Sequence, residues 1–331
     1  MRRFSRDPHR RSDQQRHSRT PQRNFASNGG RQAQAPVRDE AHAKFLAGTP
    51  VDPSPRIRLE DGSKELTMRA MDLMCPIGMG QRGLIVAPPG AGKTTFLKHI
   101  CQAVKRGTPS VKLYVLLIDE RPEEVTDFRR SVEGAEVRWS SSDETYDHHV
   151  QTANELMQQA YREVGNGENV MIVIDSLTRL SRVHNAESRS SGRTMSGGVD
   201  SRALEVPRKI FGSARKIEHG GSLTILATIL VETGSRMDEV IFEEFKGTGN
   251  MEIVLSREIA NARIFPAIDI PKSATRKEEL LVTDPKELDA MRNIRRALSG
   301  LGKVEAAKML VDHLEKFVDN KALVSAVRQS K

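Results

Sequence analysis

The chain lacks the features that mark secreted, membrane-anchored or disulfide-stabilised proteins. It has two cysteines in 331 residues, Cys75 and Cys101, whose spacing fits neither a metal site nor a disulfide framework. Its longest apolar runs, such as Leu113–Ile118 and Val170–Ile174, are too short to span a bilayer. The first residues also lack the apolar segment of a secretory signal. We therefore expect a cytoplasmic protein without a membrane partner.

Positive charge is concentrated at the amino terminus. The net charge is +8, and residues 1–48 contain eleven Lys and Arg residues but four Asp and Glu residues. This segment is rich in Arg, Gln, Ser and Pro and has few apolar residues, so its composition predicts a disordered basic tail over residues 1–48. Two interpretations stay open for it: a solvated tail, or a non-specific electrostatic arm for nucleic acid.

Strand-like and helix-like patterns alternate after the tail. Short apolar strands are predicted at Leu84–Ala87, Lys112–Ile118, Val170–Ile174, Leu223–Ile229 and Met251–Leu255. Helices are predicted over residues 93–106, 122–133, 146–164 and 200–218. This alternation predicts an α/β domain over residues 49–284, with a mostly parallel sheet covered on both faces and a ligand beyond the carboxyl ends of its strands. Residues 285–331 keep helical spacing and predict a C-terminal helical segment packed on the core.

A phosphate-binding loop gives the strongest motif. Residues 83–95 read GLIVAPPGAGKTT, a strand followed by a Gly/Pro turn and the start of a helix. Glycines let backbone N–H groups close around phosphate oxygens, and a helix N-terminus favours an anion. The loop Ala87–Thr94 therefore predicts a nucleoside triphosphate site, with Lys93 on the phosphates and Thr94 on Mg²⁺. Ala87 stands where the general pattern has Gly.

Two predicted strands end in carboxylates. Asp175 closes the apolar run Val170–Ile174, where P-loop enzymes place an aspartate that orders Mg²⁺. Glu120 follows Leu116–Asp119 and is well placed to polarise an attacking water. Each residue also has a simpler interpretation, since Asp commonly caps helices and Glu120 could be a solvated loop charge.

Two loops rich in small and hydroxylated residues are candidates for nucleic acid contacts. Ser188–Val199 reads SRSSGRTMSGGV and Glu244–Asn250 reads EFKGTGN. They suit backbone and 2′-OH contacts to single-stranded nucleic acid, although flexible connectors would read similarly. Beyond the last strand, Arg263, Arg276 and Lys277 could pair with local carboxylates, or one Arg could reach a neighbouring subunit's γ-phosphate.

Several long strings resemble the bacterial transcription termination factor Rho family. The matching segments are Pro76–Pro89, Leu117–Thr126, Gly197–Asp200, Gly220–Ile225, Met237–Ile241, Glu243–Glu252, Phe265–Asp269 and Thr275–Leu281. The resemblance runs from about Leu66 to the mid-290s. It implies a RecA-like motor that assembles as a hexameric ring, hydrolyses ATP with Mg²⁺ at subunit interfaces, and moves 5′ to 3′ on single-stranded RNA as a helicase.

The resemblance also implies a role for individual residues. The implied catalytic residues are Glu120, Asp175, Lys93 and the arginine finger Arg276, with Thr94 and Asp175 at the metal. The implied nucleotide-binding residues are Gly78, Met79, Gly80, Gln81, Arg82, Gly83, Gly90, Ala91, Gly92, Lys93, Thr94, Thr95 and Arg121. The implied interface residues are Arg179, Arg263 and Arg276. The implied RNA contacts are Arg193, Thr194 and Ser196 in a Q-loop, and Lys246, Gly247 and Thr248 in an R-loop.

The chain departs from the family pattern at three places. Gly90 stands where the family commonly has a Lys, which predicts weaker nucleotide binding or altered coupling. Arg193 replaces the usual Q-loop Lys and keeps the charge. About 65 residues precede the motor, without the helical bundle and OB-type domain that load RNA in the family, so we expect the Arg-rich arm to substitute with less sequence preference.

Three functions remain open from the sequence. The first is a Rho-type termination factor that translocates on RNA, with RNA polymerase or a full-length Rho as further partners. The second is a paralogous RNA-binding or Rho-modulating ring subunit without independent termination activity. The third is another RecA-type ring ATPase, such as a rotary ATPase subunit, which the strings Asp119–Thr126 and Glu244–Asn250 argue against.

Overall fold

A large, mostly parallel sheet organises the chain. The computed structural model describes residues 40–60, 65–188, 198–200 and 202–329. The strands are β1 (Pro50–Val51), β2 (Arg56–Ile57), β3 (Ile77–Gly78), β4 (Arg82–Ala87), β5 (Lys112–Glu120), β6 (Glu136–Ser141), β7 (Asn169–Asp175), β8 (Arg215–Ile217), β9 (Ser222–Leu230), β10 (Met251–Val254) and β11 (Ala274–Thr275). The helices are α1 (Glu40–Ala47), α2 (Leu66–Met74), α3 (Lys93–Gly107), α4 (Pro122–Ser131), α5 (Tyr146–Gly165), α6 (Leu177–Ser188), α7 (Glu205–Gly212), α8 (Arg236–Phe245), α9 (Arg257–Asn261), α10 (Pro285–Ser299), α11 (Lys303–Lys316) and α12 (Asn320–Gln329).

The strand order of the main sheet is β11-β10-β4-β9-β7-β5-β6. All neighbours from β10 to β6 pair in parallel, and β11 pairs antiparallel with β10. The short strands β1 and β8 extend the sheet beside β9, while β2 and β3 form a separate pair. Parallel strands all end at one edge, so the loops after β4, β5, β7 and β9 meet there.

Two cores cover the two faces of the sheet. Along β4, Ile85 and Ala87 belong to a core that includes residues of α2, α3 and α10–α12, whereas Leu84 and Val86 belong to a core that includes residues of α1 and α5–α8. This alternation follows from the two-residue period of a strand, and it explains why β4 reads as an uninterrupted apolar run. The predicted α/β class and two-sided coverage are confirmed. No helix in the described part of the chain is long and apolar enough to cross a membrane.

Residues 40–47 correct the predicted extent of the tail. Instead of continuing a disordered segment, they form α1, where Phe45 is fully buried and both His42 and Phe45 stack on Tyr161 of α5. Burying one aromatic side chain in a helix of eight residues is enough to attach the segment. Residues 1–39 lie outside the described residues, so the prediction of disorder for that part stays a prediction.

The predicted helix over residues 200–218 is wrong at both ends. Helix α7 covers Glu205–Gly212, and residues 215–217 form β8, which pairs antiparallel with β9. Helices α6 and α8 and the edge strand β6 were not predicted from the sequence. The patterns of β6 and α6 are weak because β6 exposes half of its side chains and α6 buries polar residues such as Ser181 and Asn185.

Candidate active site

The loop after β4 has the backbone of a phosphate site. Gly90 has φ +79° and Gly92 has φ +86°, left-handed values that other residues adopt at a cost. Helix α3 then begins at Lys93, with Gly92 at its N-cap and no side chain capping the first turn. Its first N–H groups are therefore available to an anion, which the helix dipole favours. The predicted strand–turn–helix context of Gly90, Gly92 and Lys93 is thus present.

The two predicted carboxylates meet beside this loop. Glu120 ends β5 and Asp175 ends β7, and their side chains are 4 % and 3 % exposed. Lys93 Nζ forms an ion pair with Asp175 and lies 3.5 Å from Glu120 Oε1. The Thr228 hydroxyl, from the neighbouring β9, donates to Asp175 Oδ1 at 2.7 Å. The geometry brings together Lys93, Glu120 and Asp175 from three separate loops of one sheet edge.

Arg179 completes this cluster from α6. Its Nε lies 3.2 Å from Glu120 Oε1 and its guanidinium also donates to the Asp119 carbonyl. The resemblance implied an interface role for Arg179, but here the guanidinium is engaged within its own chain. Arg121 differs, since its side chain is 70 % exposed at the start of α4. Thr94 and Thr95 occupy the first turn of α3, directly after Lys93.

The environment of Glu120 changes its protonation. The pKa of Glu120 is raised from the ordinary 4.5 to about 7, first by burial and then by the nearby Asp175 carboxylate, against the lowering effects of Lys93 and Arg179. Half-protonation near neutral pH is typical of a group that accepts and releases a proton during catalysis. Desolvation is the leading cause, so the buried position of Glu120 at the end of β5 is the main reason for its raised pKa.

A cavity of about 510 Å³ adjoins the phosphate loop and was missed by the sequence analysis. Its walls come from four segments, and they include Glu65, Leu66, Thr67, Ala91, Gly92, Thr95, Phe96, His99, Leu255, Phe265, Pro266 and Ala267. Phe265 is 48 % exposed and offers an aromatic surface against which a base could stack. Arg263, two residues earlier, is exposed in a left-handed turn. Phe265 and Pro266 are far from the phosphate loop in the sequence, so only the fold shows that they lie beside it.

The predicted nucleotide-binding segment Gly78–Gly83 lies at the other end of β4 from the phosphate loop. Arg82 begins the strand, whose six residues span about 16 Å. Gly78 N–H donates to Gln81 Oε1, Gln81 Nε2 donates to Asn250 Oδ1, and Gly80 N–H donates to Thr224. Met79 is buried in the core. The expectation that this segment surrounds the same nucleotide as the chain's own phosphate loop is therefore wrong.

Arg276 also lies away from the phosphate loop of its own chain. It directly follows β11, and its N–H donates to the carbonyl of Asn250, which precedes β10. Its side chain is exposed, and its charge reaches Arg82 closely enough to help burial lower the pKa of that group. The role of Arg276 as a finger toward another subunit's nucleotide stays a prediction.

The described stems of one predicted RNA loop are linked through α6 to the first turn of α8, and the other predicted loop follows the last turn of α8. The predicted contacts Arg193, Thr194 and Ser196 fall outside the described residues, but both stems of their loop are held by Asn185, whose amide donates to Gly198 O and accepts from Asp200 N–H. Neighbouring Arg182 pairs with Asp238 in the first turn of α8. The exposed Arg236, which the sequence analysis missed, opens that same turn.

The loop that contains Lys246, Gly247 and Thr248 follows the last turn of α8, about 15 Å along the helix axis from Arg236. Lys246 is exposed and pairs with Glu243 at 3.3 Å, and the Thr248 carbonyl accepts from Arg82. The structure therefore does not bring Lys246 beside the stems of the other loop. Its predicted RNA contact stays a prediction.

This fold and site define a RecA-like P-loop ATPase. The model of the ATP synthase alpha/beta family, nucleotide-binding domain, matches residues 67–275. A solved ATPase from the type III secretion system of pathogenic bacteria is similar in fold, with a TM-score of 0.68, 24 % identity and 86 % of each chain covered.

Curated relatives named transcription termination factor Rho narrow this class. The chain is 51 % identical to that of Haemophilus influenzae, 50 % to that of Karelsulcia muelleri and 52 % to that of Aquifex aeolicus. The matches cover 85 %, 86 % and 86 % of this chain and 67 %, 75 % and 65 % of those relatives. The chain belongs to the transcription termination factor Rho family. It spans about two thirds of the length of these relatives, and they give no support to the alternative of a modulating ring subunit.

Proposed function

We propose that this chain hydrolyses ATP with Mg²⁺ in a ring of identical subunits and uses the energy to move along single-stranded RNA, as a factor for transcription termination in the bacterial cytoplasm. The observation that carries the proposal is the buried Glu120, poised near neutral pKa and 3.5 Å from the phosphate-loop Lys93. That arrangement supplies a base beside a phosphate site, which is what hydrolysis of a phosphoanhydride requires.

The residues present fit a nucleotide with Mg²⁺. The first turn of α3, which follows the loop, has N–H groups that no side chain caps, and the adjoining cavity of about 510 Å³ would hold a base. Thr94 and Asp175 would hold Mg²⁺, which neutralises phosphate charge when bound. Within the described residues no group of three or more His, Cys, Asp or Glu side chains could hold a metal alone, so the ion would rely on the phosphates.

The chain's own side chains supply the chemical steps. Lys93, which pairs with Asp175 in the structure, would turn its ammonium group from Asp175 to the β- and γ-phosphates of the nucleotide. Glu120 in its ionised form would orient and deprotonate the attacking water, and Arg179 would hold the Glu120 carboxylate in place. Because Arg276 lies beyond the opposite end of β4, it would reach the γ-phosphate of an adjacent subunit.

RNA would contact the loop at residues 188–199 together with the first turn of α8. Asn185 and the Arg182–Asp238 pair join these two segments, so these contacts connect the exposed Arg236 to the described stems of the loop. Exposed arginines beside small, hydroxylated residues suit an RNA backbone. Lys246 is a second candidate, on a separate surface. The basic residues 1–39 would add non-specific affinity for RNA.

An ATPase assay with and without poly(C) tests the proposal. Wild-type protein should hydrolyse ATP faster with RNA, and Lys93→Ala should lose turnover under both conditions. Arg236→Ala should lower the stimulation by RNA while leaving the basal rate intact, with Arg257→Ala, an arginine that opens α9, as a matched control. Turnover that ignores both RNA and Lys93→Ala would overturn the proposal.

A further inference from the structure

The wall of the base cavity contains a hydrogen-bonded pair that the reaction itself does not use. His99 and Glu65 both line the cavity, and His99 Nδ1 lies 3.1 Å from Glu65 Oε1. The Thr67 hydroxyl is 3.2 Å from the same nitrogen. One ring nitrogen of His99 is thus committed to the wall of the cavity.

Glu65 is itself held in a fixed position. It caps α2, where its Oε1 accepts from Thr67 N–H at 2.8 Å and its Oε2 accepts from Met68 N–H at 2.9 Å. Burial would raise the pKa of Glu65, but the hydrogen bonds from His99 and Thr67 outweigh it and lower the pKa. The carboxylate is therefore ionised and has only lone pairs to offer to His99.

An ionised carboxylate fixes the tautomer of the imidazole. Since Glu65 can only accept, the proton of a neutral His99 must be on Nδ1, and Nε2 then has a lone pair. In the part of the chain that the structure describes, Nε2 has no hydrogen-bond partner. In the neutral imidazole, the remaining hydrogen-bonding atom of His99 is thus an acceptor on a side chain that lines the cavity.

The position of His99 along α3 relates this acceptor to the phosphate site. Thr95 and His99 are four residues apart and both line the cavity, so they share one face of the helix that begins at Lys93. A nucleotide with its phosphates at Lys93 would place its base between that face and Phe265. The edge of the base would then face His99.

We infer that His99, oriented by Glu65, is a specificity-determining residue that selects a purine with an exocyclic amino group at position 6 over one with a carbonyl there. An amino group donates to the Nε2 lone pair, whereas a carbonyl oxygen would face it with lone pair against lone pair. The inference rests on the proposed ATP site and adds to it the atom that distinguishes adenine from hypoxanthine or guanine.

The test compares ATP with inosine triphosphate, which share sugar and phosphates and differ at the edge of the base. Wild-type protein should show a KM for ATP roughly tenfold below that for inosine triphosphate, the size expected from one hydrogen bond with an opposing mismatch. His99→Ala should bring the two KM values within about twofold, mainly by raising the KM for ATP.

Two control variants separate specificity from general damage. Phe265→Ala should weaken the binding of ATP and of inosine triphosphate to the same extent, because stacking does not distinguish the two bases. Lys98→Ala, next along α3 but paired with Asp127 at the surface of α4, should leave the ratio unchanged.

An unchanged ratio in His99→Ala, with turnover still dependent on Lys93, would overturn the role of His99 and leave the ATPase intact. If neither ATP nor inosine triphosphate bound at a site that depends on Lys93, both the proposed function and this inference would be overturned.

Discussion

The guanidinium of Arg179 lies 3.2 Å from the carboxylate of Glu120 in the same chain. Arg179 therefore contacts the proposed base within its own chain, and the interface role that the resemblance implied for it stays a prediction. The guanidinium adds a second positive charge to a carboxylate that already lies 3.5 Å from Lys93. Glu120 therefore ionises in a balance between burial and two cations, and that balance can be measured.

Replacing the proposed base should separate hydrolysis from binding. We expect Glu120→Gln to lower the ATPase rate by roughly 10²- to 10⁴-fold, since Gln keeps the shape of Glu but cannot accept a proton. ATP affinity, measured by fluorescence of a labelled nucleotide, should change little. A variant that retains more than a tenth of the wild-type rate would show that another group serves as the base.

The rate should depend on pH with a midpoint near neutrality. The pKa of Glu120 is raised to about 7, so the residue is protonated and inactive as a base below this pH and ionised above it. We therefore expect kcat/KM for ATP to rise between about pH 6 and pH 8. Steady-state rates across that range, with stability checked at each pH, measure the midpoint. A rate that is flat from pH 5 to pH 8 would contradict the assignment.

Removal of Arg179 should move that midpoint. The positive charge of Arg179 lowers the pKa of Glu120, so Arg179→Ala should shift the rising limb of the pH profile to higher pH. Arg179→Lys keeps the charge and should leave the limb closer to its wild-type position. If Arg179 acted only at an interface, the alanine variant would lose assembly in sedimentation experiments while its limb stayed in place.

Gly90 offers a direct test of the departure from the family pattern. A Cβ at this position has no atom within 4 Å, but φ is +79°, so any side chain should cost about 1 kcal/mol in stability. We expect Gly90→Lys to unfold at slightly lower temperature yet to bind ATP several-fold more tightly, because it adds a cation to the phosphate loop. Gly90→Ala has the same backbone cost but adds no charge. Equal ATP affinity in both variants would exclude a contact between the lysine side chain at position 90 and the phosphates.

The docking of α1 can be broken at one glycine. A Cβ on Gly165, the last residue of α5, would lie 1.8 Å from the carbonyl oxygen of Ala41. Gly165→Ala should therefore destabilise the attachment of α1 by about 1–3 kcal/mol and expose residues 40–48 to limited proteolysis. Gly212→Ala, also at a helix end but with no atom within 4 Å, is the matched control. Equal cleavage of both variants would argue against the packing of α1 on α5.

Local patterns predicted the centre of the sheet and the chemistry at its carboxyl edge. Strands β4, β5, β7, β9 and β10 were found because each is a short buried run, and Lys93, Glu120 and Asp175 because each follows such a run. The fold explains their meeting, since parallel neighbours end at one edge.

Features that depend on long-range packing could not be read from the sequence. Helix α1 is only eight residues long, and its attachment depends on the buried Phe45, which stacks on Tyr161 of α5. The base cavity joins Glu65, His99 and Phe265, which no local pattern connects. The segment Gly78–Gly83 precedes the phosphate loop by only a few residues, yet the extended strand β4 between them places the two at opposite ends of that strand.

The proposed phosphate, metal and base contacts of helix α3 lie on one continuous element. Lys93, Thr94, Thr95 and His99 lie on a helix of fifteen residues, so the separation between the triphosphate end and the base end of the site is set by a rise of about 1.5 Å per residue. One residue inserted between Thr95 and His99 would turn the later face by about 100°. Such a chain would still bind a polyphosphate at Lys93 but would no longer distinguish between the bases attached to it.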